Sequence, residues 1–524
     1  MRLRVSLCHC LLCHVMMVSC NMNIILGPPG TGKTTRLLNL VEEHLAKGVS
    51  PERIGYFSFT RKAAQEAVLR AVVRFGMSEK ELPYFKTLHS LAYQMLGVGR
   101  SSLMAQKDYI EVAAWLKIAG FIEVASYNDG PFVDFGYGDR FLEIINMSRI
   151  TQTPLRETYN NSAVSTRTDW SRVEYVDRGL RTYKKEKHLY DYTDLIELFI
   201  QRNLSPSLDV MFVDEAQDLS ALQWTMVNQI AQKAKNVYIA GDDDQAIYRW
   251  AGADVNHFIN LKGNVEVLGQ SYRIPSSHHV ISQNLIQRVT NRRPKIFLPR
   301  DDEGTVAWYR HSEEVDLTQG KWLLLARTKK GTDQIEEEVR QRGLLYHYEN
   351  GRTIKSDIIA AVTTWESLRA GKVVPCLQIK NVYRYMVLGE DVERGHKTLP
   401  GVPENAMLDI STLQLSHGLL HTKPWDKTLG KISEDDRRYL RSCLRSGTFD
   451  DQSRITISTI HGAKGSECDN VMLLTDGVRR NQGQWKRSMY EEEDEMRVFY
   501  VGLTRGKNSL HLVHPMMSKG FNIV

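Results

Sequence analysis

Long hydrophobic runs are missing from most of this 524-residue chain. Downstream of residue 21 none approaches the ~20 consecutive apolar residues that span a bilayer, so no spanning segment is expected there. Cysteine is nearly absent from the same region, with only Cys376, Cys443 and Cys468 beyond Cys20. So few scattered thiols cannot build a disulfide framework and suit a reduced, cytosolic setting. There is no fixed-period repeat and no low-complexity tract, which excludes solenoid and linker-like chains. Neither sign of charge is in large excess. The net +6 permits a polyanionic partner without demanding one, because a local basic stripe matters more than a total. What remains is an ordinary globular composition, 42% hydrophobic and 25% charged, long enough for several domains.

The first 21 residues stand apart. MRLRVSLCHCLLCHVMMVSC carries two early arginines and then an apolar stretch holding Cys8, His9, Cys10, Cys13, His14 and Cys20. Its outline is that of a secretion signal, while its Cys and His spacing does not match the paired ligands of a zinc site. The preferred reading takes 1–21 as a misassigned or non-native start with Met22 as initiator. A packed or disordered extension, and a metal-binding or targeting role, are the alternatives.

Beyond it, short apolar runs alternate with helical patterns. Ile24-Ile25-Leu26, Ile54 to Phe59, Val210 to Val213 and Val237 to Ala240 form one set. Leu323 to Ala326, Ile455 to Ile457, Val471 to Leu474 and Leu510 to Val513 form a second. Buried strands alternating with helices predict parallel sheets, hence two α/β cores. Residues 93–190 and 352–451 break that rhythm, look mainly helical, and read as insertions.

Three motifs carry chemistry. Gly27-Pro28-Pro29-Gly30-Thr31-Gly32-Lys33-Thr34 fits G-x-x-x-x-G-K-[ST], after a strand and before a helix expected from Thr35 to Leu45. Such a loop curls backbone amides around phosphate oxygens at a helix N-terminus. Lys33 then reaches the outer phosphates and Thr34 ligates Mg²⁺. The bland alternative is a glycine turn capping a helix. Asp214-Glu215 ends a later strand, where Asp214 can hold Mg²⁺ and Glu215 can orient or deprotonate water. Alone, that pair would read as a solvated loop. Gly241-Asp242-Asp243-Asp244-Gln245 ends the next strand, and Gln245 can bond both a γ-phosphate and the attacking water. The aspartates lack the closing Glu that a calcium loop requires.

In order along the chain, GPPGTGKTT, FSFTRKAAQEA, FKTLHSLAY, FVDEAQDLS, IAGDDDQAIYRWAGA, GQSYRIP, TIHGAKGSE and EDEMRVFYVGLTRGK resemble the motifs of the UvrD/Rep family of superfamily 1 DNA helicases. The resemblance implies an α/β fold of two RecA-like parallel-sheet P-loop domains, each with a mainly helical insertion. The first comprises 22–92 and 191–265, with 93–190 inserted. The second comprises 266–351 and 452–524, with the short insertion 352–451. It implies ATP and Mg²⁺ as cofactors, and Arg273 and Arg505 as cations of the second core at the γ-phosphate. Tyr272 is similar to the residue that stacks on adenine, Glu467 to the one near the ribose, and Thr35 completes the nucleotide loop. Phe59, Arg61, Thr87, His89, Tyr248, Trp250 and His461 lie in segments similar to those that contact single-stranded DNA; for the aromatics, core packing is the competing reading.

Departures accompany the match. Met1 to Asn21 contains no Gln of the kind that reads adenine, Ala251 stands where an arginine often follows the tryptophan, and Arg61 replaces an asparagine. The implied function is an ATP-dependent helicase moving on single-stranded DNA, 3′ to 5′ by family, in the cytoplasm of a bacterium or phage-infected cell. Its partners would be single-stranded and partial-duplex DNA, with no membrane, and any replication or repair proteins stay unspecified. The alternatives are a translocase that mainly displaces bound proteins and a nucleotide-gated DNA-binding module. Electrostatics alone does not separate DNA from RNA.

Overall fold

The computed structural model describes residues 21–118, 140–162, 168–348, 351, 352, 354, 356–445, 454–477, 489–515 and 520–523. The Cys and His residues of the N-terminal stretch lie outside them. The chain divides into two compact units. The first takes Met1–Arg273, Ile286–Arg300 and Asn481–Arg497; the second takes Ile274–Leu285, Asp301–Arg480 and Val498–Val524.

The first unit is built on a six-stranded, all-parallel sheet. Its strands are β1 (Asn21–Leu26), β2 (Ile54–Ser58), β3 (Phe85–Thr87), β4 (Val210–Asp214), β5 (Asn236–Gly241) and β6 (Asn264–Val267), in the order β3-β2-β4-β5-β1-β6. Strand periodicity sorts the side chains. Ile24, Leu26, Met211, Val213, Val237 and Ile239 join a core on one face, while Ile25, Val210, Phe212 and Ala240 join another. Both faces are dry, so β2 and β4 are buried along their whole length and appear in the sequence as unbroken apolar runs. Edge strands are different: β3 has only three residues and every residue of β6 is exposed. The helix after the phosphate motif runs Lys33–Ala46, starting two residues before the expected Thr35. Within 93–190 the described elements are helices Gln106–Trp115, Arg140–Ile150, Leu155–Asn160 and Trp170–Lys187.

The second unit has a seven-stranded sheet. It uses β7 (Thr305–Tyr309), β8 (Trp322–Ala326), β9 (Tyr346–Tyr348) and β10 (Gly351–Arg352). A separate pair, β11 (Val374–Pro375) and β12 (Met407–Leu408), precedes the remaining β13 (Ile455–Thr459), β14 (Cys468–Leu474) and β15 (Gly506–Val513). The order is β10-β9-β13-β8-β14-β15-β7, parallel except for the β9–β10 pair. The described part of 352–451 holds helices Ser356–Arg369, Cys376–Tyr385, Ile410–Ser416, Trp425–Thr428 and Glu434–Arg445. They do not stand apart from the sheet. Trp365, Tyr383, Leu413 and Leu440 share one buried cluster with Leu324, Ile457 and Met472 of the strands. Two parallel-sheet α/β cores are therefore present, as expected. Among the described residues no helix is long and apolar enough to cross a membrane.

Candidate functional site

The strand order β4-β5-β1 sets the site. Parallel strands all end on one sheet edge, so the loops after β1, β4 and β5 emerge side by side. Gly27 ties the first to the third by donating its N–H to Gly241 O at 3.1 Å. A Cβ at Gly27 would overlap the Lys33 side chain at 1.8 Å, so glycine is required for the lysine to fold back across the loop. Gly30 has φ +74°, and a Cβ there would lie 2.4 Å from Arg273 Cβ. Thr31 locks the turn by donating its hydroxyl to Pro28 O at 2.8 Å.

Lys33 Nζ donates to Gly27 O at 3.0 Å and stands 3.5 Å from Glu215 Oε1. Thr34 Oγ1 donates to Asp214 Oδ2 at 3.2 Å, and Tyr56 OH donates to the same oxygen at 2.8 Å. Burial, then the neighbouring Glu215 charge, push the Asp214 carboxyl up to about 6 against the pull of Lys33. A hydroxyl beside a carboxylate is an all-oxygen donor pair, which suits a hard cation such as Mg²⁺. Glu215 itself has φ 53°, an uncommon conformation for a side chain of this size, supported by its N–H donating to Asp214 Oδ1 at 2.9 Å.

Residues that motif reading passed over join these groups. Gln217, fully buried, donates to Glu215 Oε2 at 2.6 Å and accepts from the Asp242 N–H at 2.9 Å. It wires the loop after β4 to the loop after β5. Gln245 donates to Asp242 Oδ2 at 2.6 Å. The three aspartates surround Lys295, whose Nζ lies 3.1, 2.6 and 3.0 Å from Asp242, Asp243 and Asp244. Tyr56 and Gln217 were legible as candidates only in hindsight, since a tyrosine in an apolar strand and a glutamine beside acids look unremarkable.

Ser271, Tyr272 and Arg273 depart from expectation. The resemblance places Arg273 on the second core, but its contacts group it with the first unit. The reason is local: Ser271 Oγ donates to Pro29 O at 2.8 Å and Tyr272 N–H donates to Gly30 O at 2.9 Å. Tyr272 keeps its ring 74% exposed beside the loop. Thr35 is exposed on the first helical turn.

Around the same sheet edge lie the strand-contact candidates of the first unit. Thr87 ends β3, pairs in register with Ser58 and β2, and caps the next helix by accepting from Ser90 N–H at 3.2 Å. Phe59 is buried and tilted against Tyr248, ring centroids 5.8 Å apart. Trp250 is 62% exposed. Arg61 is exposed at the first turn of its helix. His89 is half-buried, edge-on to Tyr192 at 6.2 Å, and is lowered to about 4 by burial and then by Arg61, so it is neutral at physiological pH. A small cavity of about 30 Å³ opens beside Ala251, lined also by His89, Asn146, Tyr192 and Asp218.

In the second unit, Arg505 is buried, with Nε donating to Val501 O at 2.9 Å and Nη1 to Ser466 O at 3.3 Å. Glu467 pairs with Lys507 at 2.5 Å. His461 follows β13.

Residues 14–266 match the family model of the UvrD/REP helicase N-terminal domain. A putative ATP-dependent DNA helicase YjcD of Bacillus subtilis (strain 168) is 22% identical, covering 95% of this chain and 77% of its own length. The ATP-dependent DNA helicase PcrA of the same organism is 25% identical over 94% of this chain and 81% of itself. A probable DNA helicase II homolog of Mycoplasma pneumoniae is 21% identical over 95% and 82%.

Proposed function

We propose that this chain, similar to the UvrD/REP helicase N-terminal domain over residues 14–266 and to ATP-dependent DNA helicases over most of its length, is an ATP-dependent DNA helicase that moves on single-stranded DNA and separates the duplex ahead of it. The observation that carries the reading is the convergence of Lys33, Thr34, Asp214, Glu215 and Gln245 on one sheet edge that also presents Trp250.

In this reading the backbone amides of the loop and Lys33 bind the β- and γ-phosphates of ATP. Thr34 and Asp214 would hold Mg²⁺, which supplies charge neutralisation on the phosphates. Glu215 orients the attacking water and takes its proton. Tyr272 stacks on the adenine, and Arg273 stabilises charge on the transferring phosphoryl group. Arg505 and Glu467 enter on the resemblance alone, as a second cation and a ribose contact. Trp250 stacks on a base, with Tyr248 and Phe59 packed against each other at the same sheet edge, while Arg61, Thr87, His89 and His461 line the strand backbone. In this reading the protein acts in the cytoplasm.

A partial duplex with either a 3′ or a 5′ single-stranded tail tests the proposal. Strand separation from the 3′ tail, dependent on ATP, is expected. Unwinding only from a 5′ tail overturns the polarity, and displacement of a bound protein without strand separation replaces the helicase reading with that of a translocase.

A further inference from the structure

Three consecutive aspartates at the end of a buried strand repel one another, and the chain resolves this with cations from a distant segment. Lys295 is 1% exposed in its side chain and meets a carboxylate oxygen of each. Arg292 grips Asp244, its Nε donating at 2.8 Å, and the Arg293 N–H donates to Asp243 Oδ2 at 2.8 Å. Arg497, fully buried, donates from Nε to Asp243 O at 3.0 Å and from Nη2 to Asn291 O at 2.6 Å, tying the two segments together.

The middle of this network is Asp242. One carboxylate oxygen faces Lys295 and accepts from the Asp244 N–H, and the other accepts from Gln245 Nε2. The Asp242 N–H in turn donates to Gln217, whose amide holds Glu215. The Asp242 carboxylate therefore fixes the phosphate-sensing glutamine, while its backbone N–H holds Gln217 and, through it, Glu215. We propose that Lys295 is a positioning residue for ATP hydrolysis, holding the Asp242 carboxylate in place so that Gln245 keeps one orientation. The inference rests on the reading of Gln245 and Glu215 given above. It adds a residue whose side chain is buried among carboxylates.

Charge around Asp242 comes from Lys295, Asp243 and Asp244 beside it and from Lys33 on the phosphate loop. Burial raises its carboxyl and Lys295 is the main opposing influence. Deleting Lys295 alone strands carboxylates in the interior and invites misfolding. Lys295→Met combined with Asp243→Asn removes one charge of each sign and keeps the local balance, while Asp242 loses its cation.

The test compares Gln245→Ala and Lys295→Met/Asp243→Asn with the unaltered full chain, measuring DNA-stimulated phosphate release against ATP concentration and pH, with circular dichroism as the check on folding. Gln245→Ala is the control on the underlying reading, and unaltered turnover there overturns the site itself. Given a slow Gln245→Ala, the double variant is expected to fold and to lose kcat by about tenfold or more, with KM for ATP within about twofold. Its acid limb should move up by about one pH unit, because Asp242 without its cation takes a proton more readily. Wild-type kcat with an unmoved acid limb overturns the proposal. So does a double variant that fails to fold, since Lys295 would then be an anchor of the fold.

Discussion

Two clusters of buried charge in the first unit are put together in opposite ways. In the helical insertion, Arg149 and Lys184 meet Asp191, Asp194 and Glu197 at 2.5 to 2.9 Å, and the acids also cap the helix Tyr192–Gln201. Every cation there is spent on a carboxylate. At the phosphate loop, Lys33 has one carboxylate at 3.5 Å and a backbone carbonyl at 3.0 Å, and its partner Glu215 sits in a left-handed conformation. Burial and charge are common to both places, so neither marks function. The difference lies in saturation: Arg149 and Lys184 each meet two or more carboxylates, whereas among the described residues Lys33 pairs only with Glu215, at 3.5 Å.

If that contrast holds, variants in the two clusters should separate activity from stability. Lys33→Ala should lower ATP turnover by about 100- to 1,000-fold or more, with a urea unfolding midpoint close to that of the unaltered chain. Arg149→Met should do the reverse. Removing one partner strands the buried acids and should cost about 3–5 kcal/mol of unfolding free energy, read by urea titration. A large stability loss from Lys33→Ala, or none from Arg149→Met, would dissolve the contrast.

Smaller effects sharpen it at the strand-binding surface. Trp250→Ala should weaken single-stranded DNA binding by about 1–3 kcal/mol in a fluorescence titration, whereas Phe59, already covered, contributes through packing. His89 gives the smallest effect. Its folded-state value of about 4 lies below the ordinary 6.5, so the unfolded chain binds more protons between them. The stability that neutral His89 supplies is complete above the unfolded value and is lost as pH falls toward the folded one. The loss should be on the order of 1 kcal/mol between pH 6.5 and about pH 5, and His89→Gln should flatten that slope.

How much of this was legible beforehand follows from the same physics. Val210 to Val213 and Leu323 to Ala326 announce themselves because both faces of a central parallel strand are buried. β6 left no such trace, since all of its residues are exposed, and β3 is too short to show a period. The phosphate loop, Asp214 and Gln245 were readable because each sits in a motif at the end of a strand of one sheet. Lys295 was not. In the run Asn291-Arg292-Arg293-Pro294-Lys295 it looks like one more solvated cation, and its partners lie about fifty residues upstream in sequence. A motif carries no information on which unit its segment packs with: Arg273 falls with the first unit, where its neighbour Ser271 donates its hydroxyl to Pro29 O.

The central claim is that one sheet edge carries both the phosphate site and the strand-binding surface, so that occupancy of one alters the other. Phosphate release by the unaltered chain, with and without single-stranded DNA, tests it most directly. The account predicts acceleration by DNA of about 5- to 150-fold, the range of ordinary coupling free energies. Equal rates in the presence and absence of DNA would contradict it.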